Sequence, residues 1–404
     1  MNSSLSYEQL NKAADTYGTP LYVYHGEKIQ GQYQNLLSHF SNKSTRFFYA
    51  CKALTNIHIL ALVKNMGCNI DCSSINEVKI ALHVGFDPAN ILYTSNSVAF
   101  EEIKEAVSLG VHVNIDSLSN LEKFGAAFGG RYPVGIRIRP DIMAGGNLKI
   151  STGHNKSKFG IPYTEKEALK SIQEKYTINI SALHIHTGSE IKDVAVFLQS
   201  ATVFENLLPD FPTVNILDFG GGFKVPYQPN EKGTDIALLG AEVNKIMEQL
   251  STKMGRNLTA WFEPGKYLVS EAGFFITQVN VLKQSGDIIF AGINSGLNHL
   301  IRPMFYDAYH HIVNISAPEK ELKNYAVVGN ICETDTFAWD RPIASIEEGN
   351  YLVFYNAGAY GYEMSSNYNA RYKPAQVLIK NEKSTLISRA DSFDDLLQLQ
   401  TPLT

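Results

Sequence analysis

The chain has 404 residues, 44% of them hydrophobic and 19% charged, so it can bury a sizeable core and is not intrinsically disordered. Its 35 basic and 40 acidic residues give a net charge of −5, which argues against nucleic acid or an anionic membrane as the main partner. The 4 cysteines are too few and too irregular for a disulfide framework, and no apolar run reaches the ~18 residues of a membrane span. The N-terminal segment lacks the pattern of a secretory signal, and we therefore expect a cytoplasmic protein of enzyme size.

Beyond residue 45, short apolar segments of β type alternate with helical patterns. The predicted strands are 47–53, 69–74, 91–96, 112–117, 134–140, 182–188, 216–222 and 258–265. Between the first of these strands, apolar residues recur at helical spacing, as expected of successive βα units. Eight such units predict a (β/α)₈ barrel within the α/β class, and an open doubly wound sheet is the alternative.

From about residue 274 the pattern changes to strands separated by turns, with little helix between them. These predicted strands are 274–284, 287–294, 325–332, 351–358 and 374–380. The pattern is typical of an antiparallel β-domain. We therefore predict a barrel domain over 26–270 and a β-domain over 271–404. Residues 21–25 also form a β-type run, which leaves open whether 1–25 join the second domain.

Polar residues and glycines concentrate where the predicted barrel strands end. Catalytic groups of such barrels lie at the C-terminal ends of the strands. The residues at these ends are Lys52, Asp71, Asn96, Asp116, Arg137, Arg139, His186, Gly220, Gly221, Gly222 and Glu263. Any one of them can be a simple polar cap on a strand, but the whole set predicts an active site.

Three of these positions suggest particular chemistry. The Gly220–Gly222 run leaves backbone N–H groups unobstructed, so that the loop after strand seven can surround a phosphate, although it can also be a flexible turn. A desolvated Lys52 can serve as a nucleophilic amine, or its ammonium can simply reach solvent. Glu263 precedes a Pro-Gly turn that directs its carboxylate into the barrel mouth.

His186 suits a metal ligand, a base or an aromatic platform, and His184 shares its strand face. Since we expect no clear carboxylate or cysteine third ligand near this pair, we predict no metal site. A lysine amine, a phosphate-binding loop, a carboxylate for a ring nitrogen and an aromatic platform are together what pyridoxal phosphate requires. The strand ends therefore predict pyridoxal 5'-phosphate as cofactor.

Eight ordered motifs resemble those of the fold-type III pyridoxal-phosphate-dependent decarboxylases. They are FFYACKAL, SKFGIP, HIHTGSEI, LDFGGGFKVPY, FEPGKYLVSEAG, RPMFYDAYH, NICETD and NAGAYGYEMSSNYN. The resemblance extends over nearly the whole chain. It implies an alanine-racemase-like (β/α)₈ TIM-type barrel with a C-terminal antiparallel β-domain, pyridoxal phosphate as cofactor, and a head-to-tail homodimer whose active sites are shared between subunits.

The same resemblance implies roles for cofactor-binding residues. Lys52 resembles the lysine that binds the cofactor covalently, His186 the residue stacked on the pyridine face, and Glu263 the partner of the ring nitrogen. The positions that match cofactor-phosphate and neighbouring cofactor contacts are Ser189, Gly220, Gly221, Gly222, Gly265, Lys266 and Tyr360.

Other matching positions imply contacts with the substrate. Cys332 and Glu333 resemble a pair delivered by the second protomer, in which the cysteine is the proton donor and the glutamate touches substrate. Arg302 and Tyr306 resemble the residues that hold the distal end of the substrate. The remaining matched substrate positions are Lys266 and Tyr360.

Two positions depart from the family pattern. The family usually has arginine after Glu-Pro-Gly, whereas this chain has Lys266, which keeps the positive charge but lacks the forked geometry. The glycine loop of the family often continues with another glycine, whereas Phe223 and Lys224 follow here. Lys224 either adds a basic group near the phosphate or faces solvent, and we expect it to face solvent.

The resemblance implies decarboxylation of meso-2,6-diaminopimelate to L-lysine and CO₂, the last step of lysine biosynthesis. The alternatives are decarboxylation of ornithine, arginine or carboxynorspermidine, a non-catalytic pyridoxal-phosphate-binding protein, and a racemase on the same barrel. Arg302 and Tyr306 favour a substrate with a distal carboxylate. The presence of Lys52 and Cys332 argues against a non-catalytic relative, and the Cys332-Glu333 pair argues against a racemase.

Overall fold

The computed structural model describes residues 5–40, 44–142 and 152–401. The chain divides into two compact units. The barrel unit comprises Gln32–Val225 and Lys232–Tyr267. The β unit comprises Pro226–Glu231 and the described parts of Met1–Gly31 and Leu268–Thr404. None of the described helices is long and apolar enough to cross a membrane.

The chain begins with α1 (Tyr7–Tyr17), β1 (Leu21–His25) and α2 (Gly26–His39). Ser6 caps α1 in a capping box with Gln9, which satisfies backbone groups that the first helical turn leaves free. All five residues of β1 are buried, as expected of a strand inside a sheet.

Eight parallel strands form a closed barrel, which confirms the predicted fold class. They are β2 (Arg46–Ala50), β3 (Asn69–Cys72), β4 (Ile91–Thr94), β5 (His112–Ile115), β6 (Val134–Arg139), β8 (Ile180–His184), β9 (Ile216–Asp218) and β10 (Thr259–Phe262). The ring follows chain order, and pairing of β5 with β6 and of β10 with β2 completes it. A short additional strand, β7 (Ile161–Pro162), pairs with β6.

Helices connect the barrel strands, as the apolar spacing predicts. They are α3 (Ile57–Asn65), α4 (Ile75–Val84), α5 (Phe100–Ser108), α6 (Leu118–Phe128), α7 (Lys166–Tyr176), α8 (Val194–Leu207) and α9 (Ile236–Met254). The short α10 (Lys266–Val269) follows the last barrel strand. Many begin at a polar cap; Asp193 and Asp235, for example, accept backbone hydrogen bonds at the starts of α8 and α9. Each cap fixes where a strand-end loop stops, and so shapes the loops that carry the predicted site.

The β unit contains the remaining strands and two short helices. They are β11 (Gly273–Ser285), β12 (Ile288–Ile293), α11 (Arg302–Tyr306), β13 (Ile312–Asn314), β14 (Leu322–Val328), β15 (Thr336–Ala344), β16 (Tyr351–Phe354), β17 (Ala375–Lys380), β18 (Lys383–Ser388) and α12 (Phe393–Leu397). The main strand order is β15-β14-β12-β11-β1-β17-β18, and β16 pairs with β11 and β13.

The predicted β-domain is confirmed, but its strands are not all antiparallel as predicted. Most pairs are antiparallel, but β1 pairs with β17, and β12 with β14, in parallel. The sheet is therefore mixed. Three of its strands, β13, β15 and β18, are missing from the sequence prediction. β13 has only three residues, and β15 and β18 carry several exposed side chains that weaken the apolar pattern.

Candidate active site

Lys52 lies in a 3₁₀ turn directly after β2, and its Nζ is 3.3 Å from Oδ2 of Asp71 in β3. The parallel register that pairs Ala50 with Asp71 brings the two side chains together. The lysine side chain is 41% exposed, whereas the aspartate is fully buried. Burial, followed by the nearby Glu263 carboxylate, raises the pKa of Asp71 to about 7 against the opposing effect of Lys52. The structure thus places a lysine amine, as predicted, at the C-terminal end of the barrel.

A buried cluster of His184, Asp218 and Glu263 lies at the ends of three adjacent strands, β8, β9 and β10. His184 Nε2 is 3.3 Å from Glu263 Oε1, and one ligand atom of each residue lies within 4.8 Å of the others. The expectation that no carboxylate lies near His184 is wrong. Strand pairing joins residues that are far apart in the sequence, and His184 pairs directly with Asp218.

The cluster offers one nitrogen and two carboxylate oxygens, which is a possible ligand set for a metal ion. The positive charges of Lys52 and Arg137 also act on it and offset its negative charge. The absence of a metal from the site therefore stays a prediction.

The buried carboxyl groups near Lys52 differ in how readily they ionise. Burial and the Glu263 charge raise the pKa of Asp218, just as they raise that of Asp71. Burial alone would raise the pKa of Glu263 as well, but His184 and Lys52 outweigh it and hold that pKa below the ordinary value. Glu263 is therefore the carboxylate of this group that carries the negative charge.

The Gly220–Gly222 loop is held by side chains from neighbouring strands. The Gly220 N–H donates to Oδ1 of Asp218 at 2.9 Å, and the Gly221 N–H donates to Nδ1 of His186 at 3.1 Å. Burial, followed by the Arg137 charge, lowers the pKa of His186 to about 3, so its ring is neutral. A neutral imidazole with Nδ1 accepting a hydrogen bond has a fixed tautomer and orientation.

Close packing explains why this loop consists of glycines. A Cβ at Gly221 would overlap the Glu263 carbonyl oxygen, and one at Gly222 would overlap the Gly188 carbonyl oxygen. Gly220 and Gly222 also have φ of +66° and +93°, which residues with a side chain rarely adopt. The loop therefore presents bare backbone at the barrel mouth.

One carboxylate joins three loops beside the glycine run. Glu190, which follows Ser189 in the loop after β8, makes close contact with the Lys266 ammonium and lies 3.7 Å from Lys224 Nζ. The expectation that Lys224 faces solvent is wrong, because its side chain is only 20% exposed. Lys266 is largely buried, as is Gly265, which packs against β2. The sequence did not single out Glu190.

The other predicted strand-end residues have partners of their own. Asn96 donates a hydrogen bond to Asp116, and Arg139 pairs with Asp141 at 3.0 Å. Arg137 differs because it is buried, and its charge acts on Glu263. The predicted strand ends thus separate into a group around Lys52 and Glu263 and a group with separate polar contacts.

A second set of predicted residues lies in the β unit around α11. Arg302 is 6% exposed, and its Nη2 donates to the Tyr227 hydroxyl at 3.3 Å, while the Tyr306 ring lies 5.8 Å from the guanidinium carbon. Among the described residues, no carboxylate lies within ion-pair distance of Arg302, and its Nε has no hydrogen-bond partner. Tyr227 was not predicted, although it ends the motif that contains the glycine loop.

Cys332 and Glu333 lie in an exposed loop after β14. The Asn369 amide donates to Cys332 Sγ at 3.1 Å, and the Tyr368 hydroxyl donates to Glu333 Oε1 at 2.7 Å. Neither partner was predicted, although both end the last motif of the chain. Tyr360, in the same motif, is partly buried and has φ of +57°.

Comparisons with known proteins agree over the whole chain. Residues 26–270 match the family described as pyridoxal-dependent decarboxylase, pyridoxal binding domain. The chain is 35% identical to the diaminopimelate decarboxylase of Methanothermobacter thermautotrophicus, over 96% of this chain and 92% of that protein.

Solved structures show the same similarity. A crystal structure of diaminopimelate decarboxylase superposes with a TM-score of 0.91 at 31% identity, covering 99% of this chain and 98% of that one. The diaminopimelate decarboxylase of Helicobacter pylori, solved in complex with L-lysine, gives a TM-score of 0.89 at 29% identity and covers 97% and 99%.

Proposed function

Because this chain belongs to the pyridoxal-dependent decarboxylases, and within them to the diaminopimelate decarboxylases, we propose that it converts meso-diaminopimelate to L-lysine and CO₂. Pyridoxal phosphate, when bound, supplies the electron sink that loss of CO₂ from an amino acid needs. The residues of this chain supply binding, orientation and proton control.

The barrel site fits this cofactor. Lys52 offers a partly exposed amine, and the glycine loop offers bare backbone where a Cβ would clash. Glu263 offers a buried carboxylate whose pKa is held below the ordinary value by His184 and Lys52. We assign Lys52 to the aldehyde carbon, His186 to the pyridine face and Glu263 to the ring nitrogen.

The cofactor phosphate has its own proposed group of residues. We assign the Gly220–Gly222 loop to the phosphate, with Gly222 as the N–H donor, because the N–H groups of Gly220 and Gly221 already donate to Asp218 and His186. Ser189 lies in the adjoining loop after β8. Gly265, Lys266 and Tyr360 complete the proposed contacts. Because Lys266 is paired with Glu190, it contributes less free positive charge than an unpaired cation would.

Buried Arg302 is the observation that supports the substrate. A guanidinium removed from water needs a counter-ion, and among the described residues it has none. The distal carboxylate of meso-diaminopimelate would supply one, whereas ornithine would bring an ammonium instead. We assign Tyr306 to the same end of the substrate, together with Lys266, Tyr360 and Glu333.

We further propose that the protein works in the cytoplasm as a head-to-tail homodimer. In this arrangement Cys332 and Glu333 act in the site of the other protomer. Cys332 delivers the proton to the carbon that has lost CO₂, and Glu333 contacts the distal ammonium. The exposure of both residues in one chain is compatible with delivery to a second chain.

The proposal is tested by measuring CO₂ release from a panel of amino acids with the purified, cofactor-loaded protein. The panel contains meso-diaminopimelate, L-lysine, L-ornithine, L-arginine and carboxynorspermidine. We expect kcat/KM for meso-diaminopimelate to exceed the others by at least about thirtyfold, since a buried charge-assisted contact contributes ~2 kcal/mol or more. A higher value for any other member of the panel would contradict the proposed substrate.

A further inference from the structure

The cluster of His184, Asp218 and Glu263 contains two carboxylate oxygens that accept no hydrogen bond from the described part of the chain. The three residues are 0%, 1% and 6% exposed, respectively. Oδ1 of Asp218 accepts the Gly220 N–H, but within the described structure Oδ2 of Asp218 and Oε1 of Glu263 accept none. Glu263 is the residue proposed for the ring nitrogen, and Asp218 is its neighbour in this cluster.

Two buried carboxyl groups this close cannot both remain charged at low cost. Their ligand atoms lie within 4.8 Å, where like charges repel strongly in a medium without water. One proton on Asp218 Oδ2, directed at Glu263, satisfies both oxygens and removes the repulsion. His184 is the second neighbour of Glu263, with Nε2 3.3 Å from Glu263 Oε1, where an N–H would face the carboxylate.

We propose that Asp218 and His184 are positioning residues that hold the Glu263 carboxylate, with Asp218 as the neutral, protonated partner. The inference rests on the proposed role of Glu263 at the cofactor ring nitrogen. Asp218 then has two tasks, because its other oxygen anchors the glycine loop. A single side chain thus links the phosphate-binding loop to the residue that controls the ring.

The surrounding charges support this distribution of protons. The groups that act on Glu263 from the neighbouring elements are Lys52 after β2, Asp71 in β3, Arg137 in β6, His184 in β8, His186 after β8 and Asp218 in β9. The lysine and arginine favour a charged Glu263. Burial raises the pKa of both aspartates, which leaves Glu263 as the carboxylate that ionises.

Substitution of Asp218 tests the proton. Asp218→Asn is neutral, keeps an acceptor for Gly220 and gives a donor toward Glu263, so it reproduces the protonated aspartate. We expect its bound-cofactor absorption spectrum to follow the same pH dependence as the wild type, with kcat/KM within about threefold. Asp218→Leu has neither group, and we expect it to shift the spectral pH transition and to lower kcat by on the order of a hundredfold.

Substitution of His184 tests the second partner. His184→Gln keeps an N–H donor and should retain the wild-type spectrum, whereas His184→Leu should shift it. The matched control is His112→Leu, which removes a half-buried imidazole that bonds the Ala89 carbonyl elsewhere in the barrel. The control should leave the spectrum unchanged.

The outcomes separate this inference from the role of Glu263. A Glu263→Gln variant with normal spectrum and activity would refute the role at the ring nitrogen. Suppose that Glu263→Gln alters the spectrum and the activity, whereas Asp218→Leu and His184→Leu alter neither the spectrum nor the activity. In that case only the positioning role of Asp218 and His184 is refuted. If Asp218→Asn, with full cofactor content, changes the spectrum, Asp218 is charged in the working protein and the proposal is wrong. Should Asp218→Leu not fold, the asparagine variant decides the question.

Discussion

The Lys52 ammonium lies 3.3 Å from a carboxylate that no solvent reaches. This pairing holds the amine at the end of β2, although nearly half of its side chain is exposed. Burial also raises the pKa of Asp71 to about 7, against the opposing effect of Lys52. The contact between Lys52 and Asp71 therefore depends on the pairing of neighbouring strands, and each of the two residues can be tested by a single substitution.

The assignment of Lys52 is tested by borohydride reduction of the cofactor-loaded protein. Reduction should attach the cofactor permanently to Lys52, because an amine bound to an aldehyde carbon is converted to a stable secondary amine. Lys52→Ala should lose this label and the visible absorption of the lysine-bound cofactor. Lys64→Ala, whose Nζ donates to the Val84 carbonyl, is the control and should be labelled normally. A label on another lysine, located by peptide mapping, would show that the assignment is wrong.

Asp71 should make the stability of the cofactor-free protein depend on pH. Its folded pKa is about 7 and its unfolded pKa is ordinary, so between about pH 4 and 7 the folded state binds the extra proton. The contribution of Asp71 to the free energy of unfolding should therefore fall as pH rises through this window, by at most roughly 4 kcal/mol, whereas His186, with its folded pKa lowered to about 3, contributes in the opposite direction.

Asp71→Asn removes the titrating group, so its free energy of unfolding should change more positively with rising pH over this window than that of the wild type. Urea unfolding at a series of pH values measures the effect. Asp394→Asn, which changes an exposed carboxylate of α12, should keep the wild-type slope. Equal slopes for wild type and Asp71→Asn would contradict the prediction.

Arg302→Ala should change substrate preference. Loss of a buried charge-assisted contact costs roughly 2–5 kcal/mol, so kcat/KM for meso-diaminopimelate should fall by at least about thirtyfold. Weak activity on lysine or ornithine, which lack the distal carboxylate, should change far less. Arg389→Ala, at an exposed arginine paired with Asp395, serves as control. Equal losses on both kinds of substrate, with intact fold and cofactor content, would indicate that Arg302 only supports its loop.

At the scale of elements, the site depends on the adjacent ends of β8, β9 and β10. Their register places His184 beside Asp218, and β10 delivers Glu263 next to both. The glycine loop after β9 fits between the loops of the two flanking strands, since a Cβ would meet Glu263 or Gly188 backbone. The packing of the glycine loop therefore depends on the pairing of these strands, and a small change in this loop should affect the whole site.

Gly221→Ala should destabilise the barrel and reduce cofactor content, because the added Cβ overlaps the Glu263 carbonyl oxygen. The matched control is Gly31→Ala in α2, where nothing lies within 4 Å of the added Cβ. Alanine is the better helix former, so this control should stabilise the protein by roughly 1 kcal/mol. Urea unfolding and absorbance of bound cofactor measure both effects. Normal cofactor content and stability in Gly221→Ala would refute the packing argument.

At the scale of the whole molecule, the proposed groups are divided between two compact units. Lys52, His186, Glu263 and the glycine loop belong to the barrel unit, whereas Arg302 and Cys332 belong to the β unit. The proposed homodimer lets Cys332 of one chain serve Lys52 of the other. This arrangement makes the activity of mixed dimers predictable.

Mixing Lys52→Ala protein with Cys332→Ala protein should restore activity. In a hybrid dimer with shared sites, one of the two sites contains both wild-type residues, so random exchange should recover up to about a quarter of wild-type activity. Each variant carried alone through the same exchange procedure is the control and should remain inactive. No recovery after exchange has been verified by mass spectrometry would contradict the shared site.

The order of strands and helices in this protein follows from local patterns in its sequence. Apolar segments with intervening helical spacing predicted all eight barrel strands, because that periodicity is carried by residues close together in the chain. Motifs at the strand ends identified Lys52 and Glu263 for the same reason. β13, β15 and β18 were missed since short or partly exposed strands have little apolar periodicity.

Only the tertiary structure decided which side chains meet. It placed Asp218 and Glu263 beside His184, paired the partly buried Lys224 with Glu190, and left Arg302 without a carboxylate among the described residues. Each of these outcomes depends on strand register or on loop packing between residues far apart in the sequence. Local periodicity does not show which side chains from distant parts of the sequence come into contact. The protonation states of the carboxyl groups in the site depend on those contacts, which form only when the barrel closes.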